Sequence, residues 1–137
     1  MKKYIPFTLL LFTLFGCGDN SQVTIYDKSI KKETIPCLRV SISPEDKEIQ
    51  SYISSLYNFK DICPYSLNIS YKSNIVCNSP YNASRKNLSN FPNSYLNMEI
   101  RKGMKLEYSY YIDLQHKPTD KEIKNGWEKI ECDLKIK

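Results

Sequence analysis

The chain has 137 residues, a formal charge of +5, and 41% hydrophobic and 26% charged residues. That is the length of one domain, with too much apolar content for wholesale disorder. Four glycines exclude collagen-like repeats and a Gly-rich phosphate loop.

The first sixteen residues read as an address. Met1-Lys2-Lys3 is basic, and Tyr4 to Phe15 is an apolar run of 12 residues broken only by Pro6, Thr8 and Thr13. A membrane-spanning helix needs about 20 apolar residues. This run is shorter, and Gly16-Cys17-Gly18-Asp19-Asn20 stops it with small and polar side chains. A charged start, a short apolar stretch and a small-residue boundary define a secretory signal. Leu14-Phe15-Gly16-Cys17 resembles the bacterial lipobox, where cleavage precedes a cysteine that carries diacylglycerol; Phe15 departs from its usual pattern. Lipidation is therefore expected at Cys17, with two or three acyl chains giving a stable anchor. Gly18 after the cysteine implies an outer-membrane, periplasm-facing address. The resulting organisation is a cleaved signal at 1–16, a lipidated N-terminus and short tether at 17–22, and a β-sandwich domain at 23–137. Losing Lys2 and Lys3 with the leader lowers the charge from +5 to +3. So mild and dispersed an excess does not point to nucleic acid.

In chain order, short strands are expected at Val23–Tyr26, Ile35–Ile42, Tyr65–Tyr71 and Ile75–Cys77, where Tyr, Ile, Ser and Thr are enriched. Between them, Ser43-Pro44-Glu45-Asp46 resembles a helix start, and Ile49, Ile53, Leu56 and Tyr57 recur at helical spacing. Ile49, Ile53 and Tyr57 also share one strand parity, so 44–58 reads as either a short helix or a turn and strand. The clearest pattern follows. Leu96, Met98 and Ile100 alternate with Tyr95, Asn97, Glu99 and Arg101; after Lys102-Gly103, Met104, Leu106, Tyr108, Tyr110, Ile112 and Leu114 alternate with Lys105, Glu107, Ser109, Tyr111 and Asp113. Successive strand side chains point to opposite faces, so this is a hairpin with one buried face. Ile130, Cys132, Leu134 and Ile136 alternate in the same way and predict a C-terminal strand, with Trp127 capping the core at its start. Six or seven short strands predict an all-β, immunoglobulin-like antiparallel sandwich.

With Cys17 assigned to lipid, Cys37, Cys63, Cys77 and Cys132 remain, and in a small exported domain they read as two disulfides with three possible connectivities. No C-x-x-C pair supports zinc. His116, the one histidine, sits in Gln115-His116-Lys117-Pro118 with no nucleophile turn to serve, and reads as a solvated loop residue. No enzyme, cofactor, metal or small-molecule substrate is expected. The stretch from Asn78 to Asn93 is rich in Asn, Ser, Pro and aromatics with two cations, the composition of a binding loop. Tyr81, Arg85, Lys86 and Phe91 are its candidate partner contacts, although Tyr81 and Phe91 would equally plug the end of a sandwich. Outward-facing Tyr95 and Tyr111 either extend that surface or form cross-strand pairs.

Gly16-Cys17-Gly18-Asp19, Pro36-Cys37-Leu38, the Pro44-Glu45 turn, Cys77 before Pro80, and Leu106-Glu107-Tyr108-Ser109-Tyr110 introduced by Lys102-Gly103-Met104 together resemble the short bacterial type VI secretion immunity periplasmic lipoproteins. The resemblance implies a strand at Ile49–Tyr57 and a bridge between Cys37 and Cys77, leaving Cys63 and Cys132 for the second. It further implies a lipid-anchored protein that binds and neutralises a secreted antibacterial toxin without catalysis. The alternatives are a structural or interaction lipoprotein of the envelope, or a lysozyme-inhibitor-like binding protein.

Overall fold

The alternation between Tyr95 and Leu114 forms the hairpin it predicts. In the computed structural model, which describes residues 20–76 and 92–137, β5 spans Ser94–Lys102 and β6 spans Lys105–Leu114. Gly103, at a φ of 61°, supplies the left-handed backbone that a two-residue primed hairpin turn requires at its first position. Met104 is the second turn residue and is 94% exposed, so it leaves the buried parity to which alternation alone assigns it. A bulge between Ile100 and Arg101 shifts the register. Glu107 and Ser109, expected on the solvent side, are buried. Lys105, ion-paired with Asp27, stands 3.7 Å from Glu107 Oε1.

Around the hairpin the chain adds β1 (Ser21–Ile25), a 3-10 turn (Lys28–Lys31), β2 (Thr34–Ile35), β3 (Arg39–Ser43), α1 (Lys47–Leu56) and β4 (Tyr65–Lys72) before it. After it come α2 (Asp120–Asp133) and β7 (Lys135–Ile136). The predicted strand at Ile35–Ile42 is thus two strands, and Ile75 and Val76 lie outside any strand. The main sheet has the order β1-β6-β5-β4-β3, antiparallel except for the parallel pair β3–β4. β2 and β7 form a separate parallel pair.

The immunoglobulin-like sandwich is therefore corrected to a two-layer α/β arrangement. Helices, not a second sheet, cover the apolar face formed by Leu67, Ile69, Leu96, Met98, Ile100, Tyr108 and Tyr110. The C-terminal strand is the main error. Thr119 precedes a helix whose Glu122 carboxylate accepts the Thr119 backbone N–H at 2.8 Å, the reciprocal half of a capping box. Ile123, Trp127 and Ile130 then fall on one helical face and are buried. Only Lys135–Ile136 is extended. Trp127 lies inside the core, ringed by Tyr57 at 5.4 Å and Phe59 at 6.0 Å between centroids. Gly126 lets α2 lie close to the sheet: a Cβ there would come within 2.5 Å of Met98 Sδ and 3.0 Å of Tyr110 Cε1.

The segment at 44–58 is helical, contrary to the strand that the family resemblance implies. The cap is Asp46, the last residue of that start: its carboxylate accepts the N–H groups of Glu48 at 3.0 Å and Ile49 at 3.2 Å. Ile49 and Ile53 turn inward, and burying each contributes about 1.5–3 kcal/mol. Lys117 Nζ at 2.7 Å and the Tyr71 hydroxyl at 2.8 Å complete the site, and they, Lys117 first, hold the Asp46 carboxyl at about 2, below its ordinary 3.8. A carboxyl whose folded pKa is depressed adds stability that is present above pH 4 and lost as pH falls towards 2. Asp46→Asn keeps a competent cap but removes the charge facing Lys117. The variant is expected to be less stable than wild type in urea at pH 7 and to converge on it near pH 2; a constant gap across that range would refute the assignment.

The two predicted bridges are likewise corrected. Cys37 pairs with Cys63, with a Cα–Cα distance of 6.0 Å. The register explains why: Arg39 of β3 lies beside Ser66 of β4, so the residues just before each strand are neighbours. Cys132 lies on the outward side of α2 as an exposed thiol, because the helical period turns it away from Ile130. Cys77 lies outside the described residues.

Candidate functional site

With both helices on one face, the other face of the sheet carries the polar parity of every strand. β5 contributes Tyr95, Asn97, Glu99 and Arg101, all half-buried. β4 adds Ser66, Asn68 and Ser70, and β3 adds Arg39, Ser41 and Ser43. Among the described residues the core in which the helices take part lies on the opposite face, although Ser66 and Ser109 on this side are also buried. Side chains of the polar face bond to each other along the strands. Asn97 Nδ2 donates to Glu99 Oε1 at 3.0 Å, and Arg101 reaches Glu99 Oε2 through Nε at 3.0 Å and a terminal nitrogen at 2.9 Å. These i, i+2 contacts hold three polar groups upright in fixed geometry.

Tyr95 and Tyr111 meet on this face. They are diagonal neighbours, since Tyr95 opposes Asp113 and Asn97 opposes Tyr111. Their rings stack at 5.7 Å with 23° between planes, so the cross-strand pair forms and half-buried aromatic surface remains beside it. The Tyr111 hydroxyl donates to Asp113 at 2.8 Å. Burial, reinforced by that carboxylate, pushes its pKa up to about 12, so it stays a neutral donor. Tyr81, Arg85, Lys86 and Phe91 lie outside the described residues, as does Cys17. His116 is exposed, its Nδ1 2.8 Å from the Lys117 carbonyl oxygen.

The face runs into a groove of about 750 Å³ at the β3 side of the sheet, lined by Arg39, Ser41, Ser66, Asn68 and Arg101 from the strands. Phe59, Lys60 and Asp61 from the loop after α1, Gln50 and Ser54 from α1, Val40 of β3, and Gly103 and Met104 from the hairpin tip complete it. The alternation of Arg39 and Ser41 with Val40 and Ile42 signals which side chains point outward. The sequence carries no sign that β3 is an edge strand, since that follows from its parallel pairing with β4.

Among the described residues, the fold and this surface define a small disulfide-stapled α/β domain with one polar sheet face. No protein-family model, curated protein or solved structure matches the chain. No helix among the described residues is long and apolar enough to cross a membrane.

Proposed function

We propose that the protein is a lipid-anchored periplasmic immunity protein that binds and neutralises an antibacterial secreted toxin. The observation that carries the reading is the polar face of the main sheet, opposite the helices among the described residues, where the Tyr95–Tyr111 stack adjoins the Asn97–Glu99–Arg101 row. Aromatic surface beside pre-oriented polar groups is what protein recognition uses. Neutralising a toxin asks only for occlusion, so affinity supplies the whole activity. The Cys37–Cys63 bridge fits an oxidising compartment, and a leader over 1–16 followed by Cys17 fits an anchor there.

The test is competition between sibling cells. A strain lacking the gene is expected to be killed by toxin-delivering siblings and rescued by wild type. Cys17→Ser is expected to fractionate away from membranes and to rescue poorly. Full survival of the deletion strain would overturn the immunity reading.

A further inference from the structure

The main sheet ends at β3, whose one side bonds to β4 while the other carries no strand among the described residues. The loop after α1 touches this side where the Lys60 N–H donates to the Leu38 carbonyl at 2.8 Å. Past that point Arg39, Val40 and Ser41, the first three residues of β3, border the groove of about 750 Å³. A strand that ends a sheet presents unpaired N–H and C=O groups, a template for another extended chain. Five residues offer about 17 Å of it.

Charge and apolar surface indicate which chain. Arg39 and Lys60 are exposed and take part in no ion pair among the described residues. Lys102, Lys105, Lys117, Lys124 and Lys129 all face carboxylates. Asp61 is the groove's acidic residue, and Arg101 brings a third cation, already turned to Glu99. At the rim, the Gly103 N–H donates to the Pro64 carbonyl at 2.8 Å. That bond draws the hairpin tip to the loop, so Met104, 94% exposed, and Ile62, 93% exposed, flank one contact. A second copy would bring the same basic edge and, of the groove residues, only Asp61 as a carboxylate for Arg39 and Lys60, so it is the poorer match to these cations.

We infer that the free edge of β3 takes an extended, acidic segment of a partner protein as a sixth strand. The partner's main chain bonds to Arg39–Ser43, and its carboxylates, all on one face of the added strand, meet Arg39 and Lys60. This rests on the reading of the chain as a binding protein and specifies the chemistry of what it binds.

The test uses the full mature chain and a fluorescent heptapeptide, Val-Glu-Val-Glu-Val-Glu-Val, in anisotropy titrations. Controls are the same peptide with Lys for Glu and the acidic peptide N-methylated at alternate backbone nitrogens. The acidic peptide is expected to bind saturably, more weakly as salt rises, and to slow hydrogen exchange at residues 39–43. The combined Arg39→Glu and Lys60→Glu variant should weaken it about tenfold or more, N-methylation should remove binding, and the Lys peptide should not bind. If the double variant loses its native circular dichroism, Lys60→Gln alone, at an exposed loop position, should weaken binding by about threefold. Equal binding of the acidic, basic and N-methylated peptides overturns the inference, as does no binding at all. A dimer of the chain that protects the same amides would assign the edge to a second copy and also overturn it. A deletion strain that is killed by siblings, alongside failure of the acidic peptide, removes this inference and leaves the immunity reading standing.

Discussion

Trp127→Ala is expected to destabilise the domain by about 3–5 kcal/mol, the usual cost of emptying a large aromatic site in a core. Trp127 is 2% exposed, and it lies where three segments meet: α2 carries it, while Tyr57 and Phe59 follow α1 and pack edge-on to each other at 4.9 Å. Its loss therefore removes the contact that fixes the end of α1 against α2, as well as its own buried area. A domain of this size has about 5–15 kcal/mol in total, so the variant should unfold at markedly lower urea, followed by circular dichroism because the indole itself is gone. Trp127→Phe, which keeps a ring but not its volume, should fall between the two. A cost for Trp127→Ala below about 1 kcal/mol would show that this residue is not the hub of the helical layer.

Why the helical layer escaped a reading by alternation is a matter of period. Residues four apart satisfy both a strand, in which they share a face, and a helix, in which they stack one turn apart. Ile130 and Leu134 are such a pair, as are Ile49 and Ile53, and both pairs are buried. What separates the two periods is the next residue along. Trp127 and Ile123 fall on the odd parity, wrong for a strand containing Ile130 but right for a helix. Thr119 and Glu122, three apart behind Pro118, are the sequence signature of that helix start. By contrast, the hairpin shows no such ambiguity, because Leu96, Met98 and Ile100 repeat at intervals of two, which no helix places on one face. β1 and β4 were legible from their enrichment in Tyr, Ile, Ser and Thr, while the single strand expected at Ile35–Ile42 is two, β2 and β3.

The candidate site divides along the same line. Which side chains of β3 and β5 point away from the core is a local property, and the outward placement of Tyr95, Tyr111, Arg39 and Ser41 follows from parity. That these residues share one face depends on non-local facts. Two helices take the apolar side, and β3 joins parallel to β4 through α1. A parallel neighbour requires a crossover, and the helix that provides it could not be separated from a strand on periodicity alone. The disulfide pairing was hidden by the same uncertainty, since it depends on that crossover.

Replacing Cys37 and Cys63 together by Ala is expected to cost about 3.5 kcal/mol, the chain-entropy value for a closed loop of their separation of 26 residues. The position of the bridge makes it more than a generic restraint. Cys37 stands just before β3 and Cys63 just before β4, so the link ties the base of the β3–α1–β4 crossover, the one parallel pairing in the main sheet. Parallel pairs need their ends brought together across a long connection, and closing that connection covalently removes the entropy cost from folding. Adding reductant to wild type should therefore lower its urea midpoint to that of the double variant, while Cys132→Ser, an exposed position on α2, should leave both midpoints where they are. Peptide mapping under non-reducing conditions should recover Cys37 joined to Cys63. Recovery of Cys37 joined to Cys77 instead would contradict the register of β3 on β4, and with it the edge on which the groove depends.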